Sequence, residues 1–290
     1  MRLFCPAGEP VEGYQLIVSP QNSPLKWLEF GRLRLWEKSK PYLGDIQDQE
    51  ILLVILSGTG QVTVEAQEKE PVVYDLSRRD VFSEKATLIY IPPHHHFEVV
   101  SHSASFDAGL FKAPANKKAN PFIIKPDDVE YRSVGVANWR RDVYLATQEE
   151  MPIERLIAGE TVTPPGHWSS YPPHKHDVIS SEGERPYEEV FFYLVKPRQG
   201  YGIQQLYDSP EKEDGLNEVY VVREGDVLAI PRGYHPAVAG AGYQLYYLWA
   251  LAGEAREYGT WSDDPLHVWL RDCEPIVAER ERYRFAPRIR

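Results

Sequence analysis

The chain is written in short apolar or alternating runs. EILLVILSG (50–58), QVTVEA (61–66), TLIYIPP (87–93), EEVFFYLV (188–195), NEVYVV (217–222) and DVLAIP (226–231) are rich in Val, Ile, Tyr and Phe and punctuated by Gly, Pro and Asp. Runs of this length and composition predict β-strands. No long stretch carries a clear helical period, and only the polar C-terminal piece EPIVAERERYR (274–284) leaves helix and loop both open. The expected fold class is all-β, a sandwich or barrel.

The strand pattern repeats. Glu50 opens EILLVIL and Glu189 opens EVFFYLV, while Pro92 and His96 after one later strand match Pro231 and His235 after another. Residues 50 and 189, 92 and 231, and 96 and 235 are each 139 apart, which points to duplication of one β-barrel. The polar segment around 115–150, with KKANPF and KPDDVEYR, is where the boundary is expected. That gives an N-terminal barrel over 1–130 and a C-terminal barrel over 131–290.

At 290 residues the chain is long enough to bury substantial cores, and 42% hydrophobic with 26% charged residues fits a packed globular protein. The formal net charge of −11, with no run of Lys and Arg, argues against a nucleic-acid partner. Two cysteines far apart, Cys5 and Cys273, cannot make a disulfide scaffold and suit a reducing compartment. The N-terminal MRLFCPAGEPVEGYQ has no signal-peptide core, and ILLVIL (51–56) is too short to cross a bilayer. A cytoplasmic protein without membrane contact is the expectation.

The chemistry concentrates in GHWSSYPPHKHD (166–177). His174 and His176 are two apart, so on a strand both imidazoles project to one face. Glu189 shares a face with Phe191 and Tyr193, and a carboxylate on an apolar inward face is costly unless paired, protonated or bound to metal. In GDVLAIPRGYH (225–235) Pro231 ends the strand and Gly233 permits the turn that brings His235 back. Three imidazoles and a carboxylate make a mixed nitrogen and oxygen site that, if six-coordinate, leaves two positions for water or substrate. Structural zinc sites are usually closed and cysteine-rich, so this set favours a working metal.

These residues carry a resemblance. The double motif resembles the cupin superfamily, with departures: seven residues separate Gly166 from His174, twelve separate His176 from Glu189, the last motif is P-x-G-x-H, and Ala239 stands where asparagine is usual. Together with PYEEVFFY and DDPLHVW, they resemble the two-cupin sugar-acid isomerases. The insertion DVISSEGERPYE (177–188) favours the inositol-catabolism branch over the sister branch acting on a 4-deoxy-5-keto hexuronate. The resemblance implies a bicupin whose metal ligands are His174, His176, Glu189 and His235. It also implies aldose-to-ketose isomerisation of 5-deoxy-D-glucuronate to 5-dehydro-2-deoxy-D-gluconate, in which a divalent cation polarises the carbonyl and stabilises an enediolate.

Zinc, manganese, iron, nickel and cobalt all accept such ligands, with zinc and manganese the first expectations. For the proton shuttle the candidates are His267, Tyr246 and Glu189. Arg155 is the candidate for the substrate carboxylate, and Trp168 and Tyr171 for the pocket mouth. Trp249 stands where a smaller polar residue is expected. Self-association is expected to be open to a duplicated cupin. The competing functions are an Fe(II) dioxygenase and a non-catalytic sugar-acid binding protein.

IPPHHHFEVV (91–100) places three histidines in a row, yet on a strand at most His94 and His96 could share an ion. If His96 matches His235 and Glu50 matches Glu189, the first half keeps two of four ligand positions. No histidine occurs in residues 1–93, so the His-x-His partner is missing. The triple histidine is expected to be a remnant of duplication, solvated or packed.

Overall fold

The structure, a computed structural model, describes residues 2–66, 70–209, 212 and 215–284. In the first half a sheet runs in the order Phe122–Ile124, Leu88–Ile91, Gln49–Ala66, Ser105–Pro114, Glu29–Trp36, Gly13–Val18. The two apolar runs at 50–58 and 61–66 are one strand. A register shift between Ile55 and Ser57 and a positive φ of 101° at Gly58 bend it. Its far half pairs instead with Val72–Arg78 and His95–Ser101. Side chains from both arms, including Ile51, Leu53, Val62, Val99 and Leu110, fill the first barrel.

The second half repeats the plan. Its larger sheet runs Phe4–Cys5, Val227–Ile230, Glu188–Lys196, Gln244–Ala252, Ile157–Thr163, Arg141–Leu145, Glu130–Val134. A smaller sheet contains Trp168–Ser169, Ala237–Ala239, Gly202–Tyr207 and Asn217–Val222. Phe191, Tyr193, Tyr247 and Trp249 from the larger sheet meet Leu206, Val222 and Ala237 from the smaller one in a common core. Phe122–Ile124 still belongs to the first sheet and Glu130–Val134 to the second, but the N-terminal strand departs from a plain division at residue 130. Phe4 pairs with Leu228 and Cys5 with Val227, inside the second half's sheet.

A third core joins the halves. Alternation along Glu188–Lys196 sends Phe191 and Tyr193 into the barrel and Val190, Phe192 and Leu194 to the opposite face. There they pack with Leu52, Val54, Phe30 and Phe111, and the Phe30 and Phe192 rings lie 5.3 Å apart. Burying one such side chain stabilises by about 1.5–3 kcal/mol, so a sheet apolar on both faces is explained by having a core on each. The Arg78 guanidinium crosses this junction to Glu160, with Nη1 to Oε1 at 2.7 Å and Nη2 to Oε2 at 2.8 Å.

Two carboxylates at the junction do one job twice. Glu50 accepts the backbone N–H groups of Glu154, Arg155 and Leu156 at 2.8, 2.7 and 2.8 Å. Glu188 accepts those of Lys26, Trp27 and Leu28 at 2.7, 2.6 and 2.6 Å. The counterpart of Glu50 is therefore Glu188, and the expected match of Glu50 with Glu189 is wrong by one residue. Ile51 pairs with Ile91 as Glu189 pairs with Ile230, so an isoleucine holds the carboxylate's place in the first barrel. A one-residue slip exchanges the faces of a strand.

The ambiguous C-terminal piece lies in a helix, Trp269–Arg284, tied to the second half by Trp139 Nε1 donating to Glu274 Oε1 at 3.3 Å. Ala, Glu and Arg are good helix formers, and the weak apolar stripe reflects a mostly solvated helix. No described helix is long and apolar enough to cross a membrane.

Candidate metal centre in the second barrel

His174 lies on the short strand His174–Lys175, which pairs with Ser262–Asp263. His176 follows two residues on, and its Nδ1 meets the Tyr187 carbonyl at 3.1 Å. Glu189 enters from the strand that pairs with both Val227–Ile230 and Gln244–Ala252. His235 arrives through the turn at Gly233, whose φ is +91° and where a Cβ would come within 2.7 Å of the Tyr207 carbonyl. Only glycine makes that turn without strain.

Three imidazoles converge, and the carboxylate meets two of them. One ring nitrogen from each of His174, His176 and His235 lies within 4.8 Å of the others. Glu189 Oε2 is 3.2 Å from His176 Nε2 and 3.4 Å from His235 Nε2. The His235 Nδ1 faces the Gly233 carbonyl at 2.9 Å, which fixes the ring and leaves Nε2 aimed at the cluster. His174 Nδ1 and His235 Nε2 are buried with no hydrogen-bond partner in the protein. Buried polar atoms are seldom left unpaired, and a cation would satisfy both nitrogens. The donor set fits a divalent metal.

Electrostatics favour neutral, ligating imidazoles at two positions. Burial, reinforced by the neighbouring rings of His235 and His176, pushes His174 well below the ordinary imidazole range. Burial also lowers His235 to about 4, against the opposing pull of Glu189. At His176 burial acts downward too, but the hydrogen bond and charge of Glu189 together with the Tyr187 carbonyl outweigh it and raise the value.

A second set of charges braces the ligands. Lys175, on the other face of the His-x-His segment, binds Asp177 Oδ1 at 2.6 Å and Glu184 Oε1 at 2.9 Å. Asp177 Oδ2 accepts the Gly233 N–H at 2.9 Å, and Glu184 also holds Ser262 on the partner strand. Tyr207 donates to Asp264 Oδ2 at 2.6 Å, and the Asp264 N–H donates to the Pro173 carbonyl at 2.8 Å. Sequence patterns miss this bracing because its members are scattered over ninety residues and none has motif spacing, although Asp264 sits within DDPLHVW.

The remaining sequence candidates fall on different sides of the barrel wall. The Trp168 and Tyr171 rings lie 5.2 Å apart, tilted by 47°, and Tyr171 lies 6.1 Å from the His267 ring, so these three stand together beside the ligand segment. Trp249 faces the barrel and donates Nε1 to Thr161 Oγ1 at 3.1 Å. Tyr246, one residue off Tyr247, points the other way, into the core between the halves, and its hydroxyl donates to Glu160 at 2.6 Å. Strand alternation thus removes Tyr246 from the site. Arg155 is also elsewhere: Nε binds the Pro114 carbonyl at 2.9 Å, Nη1 binds the carbonyls of Gly253 and Glu254, and the guanidinium covers Trp27 at 4.3 Å. It holds the junction and is not brought to the cluster.

In the first barrel His94 and His96 are exposed and stand 3.8 Å from Asp48 and 3.2 Å from Asp45. His95 is buried, with Nδ1 on the Pro93 carbonyl at 2.8 Å. Among the described residues, the three-imidazole group of the second barrel is the only such cluster of potential metal ligands.

Paired antiparallel barrels with an imidazole and carboxylate cluster inside one of them define a double-barrel, cupin-like protein. The comparisons narrow that class, because residues 6–270 match the KduI/IolB family, and the chain belongs to it. A protein of Geobacillus kaustophilus (strain HTA426) named 5-deoxy-glucuronate isomerase is 30% identical over 285 residues, 97% of this chain and 99% of its own length. The Bacillus subtilis (strain 168) protein of the same name is 32% identical over 267 residues, 90% of this chain and 95% of its own. An IolB-like protein of Salmonella typhimurium LT2 superimposes with a TM-score of 0.84 at 25% identity, over 93% of this chain and all of that one. The oxalate decarboxylase of Lactobacillus farciminis, crystallised with formate, gives 0.65 at 13% identity over 99% and 95% of the two chains, a likeness of fold alone.

Proposed function

We propose that this protein is an isomerase that converts 5-deoxy-D-glucuronate to 5-dehydro-2-deoxy-D-gluconate at the cluster in the second barrel, as a step of inositol breakdown. The observation that carries the reading is the pair of buried, unpartnered nitrogens, His174 Nδ1 and His235 Nε2, in one group with His176, while the Glu189 carboxylate lies against His176 and His235. The names of relatives that span nearly the whole chain supply the substrate.

In the reaction a proton leaves the hydroxylated carbon beside the aldehyde, and one is delivered to the former aldehyde carbon. The hydroxyl proton passes to the other oxygen, so aldose and ketose have the same atoms. His174, His176, His235 and Glu189 would hold one divalent ion, zinc or manganese first among the choices. When bound, such an ion supplies positive charge that polarises a carbonyl and steadies negative charge on adjacent oxygens. The protein's own contribution is positional. The Gly233 and Tyr187 carbonyls fix two imidazoles, and the wall of Phe191, Tyr193 and Tyr247 limits water around the cluster. Glu189 and His267 stay as proton-shuttle candidates, the first within the cluster and the second beside Tyr171 at its edge. A cytosolic setting accords with two unpaired cysteines, Cys5 and Cys273.

The test is to follow 5-deoxy-glucuronate by NMR in deuterium oxide with metal-replete wild type and with His176→Ala. Ketose carrying solvent deuterium should form only with wild type. No ketose from wild type, or an undiminished rate in the variant, would overturn the reading.

A further inference from the structure

We infer that Arg141 binds the carboxylate of the sugar acid, an assignment that rests on the sugar-acid reading above. Arg141 opens the strand Arg141–Leu145, and Val143 and Leu145 of that strand pack on the second barrel's core. Alternation puts Arg141 on the same inward face. The residue is 6% exposed. The one hydrogen bond its guanidinium makes among the described residues is from Nη1 to the Tyr171 carbonyl at 2.9 Å, and the nearby carboxylates Asp263 and Glu274 act on its charge without forming an ion pair with it.

A buried cation without a counter-ion in contact is expensive, and the two other arginines as buried as Arg141, together with half-buried Arg271, avoid that state. Arg78 is held by Glu160, Arg32 by Asp107 and Arg271 by Asp263. Arg141 alone of these faces the barrel that contains the cluster with most of its five donors unspent. Its bond to the Tyr171 carbonyl ties it to the segment that carries His174, three residues further on.

A second unpaired group points the same way. Thr163 is fully buried on the adjoining strand, and its Oγ1 has no partner. Thr163 alternates onto the face of Ile157 and of Thr161, the residue bonded to Trp249, and Val162 pairs with Asp142 next to Arg141. A guanidinium fork and a free hydroxyl match the acceptors of a carboxylate. Anchoring the acid there leaves the carbonyl end of the substrate to the imidazole cluster, and it discriminates against sugars that lack the acid.

The inference is tested by calorimetric titration of the metal-loaded full chain with D-glucuronate and with its uncharged methyl ester. Wild type should bind the acid at least tenfold more tightly than the ester. In Arg141→Gln that preference should disappear with metal content unchanged, and Arg141→Lys should restore part of it. With 5-deoxy-glucuronate as substrate, the Gln variant should show a raised KM. Wild type that binds acid and ester alike, or fails to bind the acid, overturns the inference without need of any variant. So does Arg141→Gln that keeps the tenfold preference. Binding is read without turnover, so a chain that prefers the acid yet produces no ketose would sink the isomerase reading and leave Arg141 as the carboxylate site.

Discussion

Asp177 accepts the backbone N–H of Gly233 through Oδ2 at 2.9 Å, so the segment that carries His174 and His176 is bonded to the turn that delivers His235. The same carboxylate holds Lys175 through Oδ1, at 2.6 Å. One side chain thereby sets the distance between ligands that lie about sixty residues apart in sequence.

Asp177→Ala is expected to weaken metal affinity by about 10–100-fold, the usual effect of removing a group that orients ligands. Competition with a chelator of known affinity measures this, and circular dichroism should show an unchanged β fold. Unaltered affinity would make Asp177 a bystander.

Chelation should abolish isomerisation, and adding back a divalent ion should restore it. Because ligands of the second barrel come from segments far apart in sequence, the metal should also stabilise the fold. Free metal at 100 times its Kd adds about 2.7 kcal/mol. Thermal unfolding with and without chelator checks this, and identical midpoints would count against a native metal.

Tyr246→Phe should leave kcat and KM unchanged, since the hydroxyl lies on the inter-barrel face and donates to Glu160. Its cost should fall on stability, about 1.5–3 kcal/mol for a hydrogen bond to a charged group. Denaturant unfolding and steady-state kinetics separate the two, and a lost kcat with normal stability would return Tyr246 to the site.

Glu160→Ala removes the partner of a guanidinium buried at the junction and should destabilise by about 3–5 kcal/mol. Replacing Arg78 and Glu160 together by Met and Leu should cost much less, because no charge is stranded. A double-mutant cycle in urea measures the coupling, and additive effects would refute it.

Replacing both His94 and His96 by Ala should change neither metal content nor activity, as both are exposed and each faces an aspartate. Elemental analysis beside a rate measurement checks this. Lost activity together with lost metal would show that the first barrel holds a working site.

The sequence by itself determined what depends on period and short spacing. Period-two runs made the fold all-β, and His174, His176, Glu189 and the turn at Gly233 could be set on their faces because alternation along a strand is a local rule. The repeat was legible too, but its register was not. A bulged strand and a one-residue slip made Glu188 the partner in kind of Glu50, which only the hydrogen bonds to residues 26–28 and 154–156 reveal. Tertiary structure decided which face of each strand met which core. Tyr246 and Tyr247 differ by one position yet belong to different cores, and Arg155 is spent on carbonyls at the junction while Arg141 faces the barrel with donors to spare. The physical reason is that a strand's two faces are equivalent in sequence when both are buried, and only packing against distant strands tells them apart.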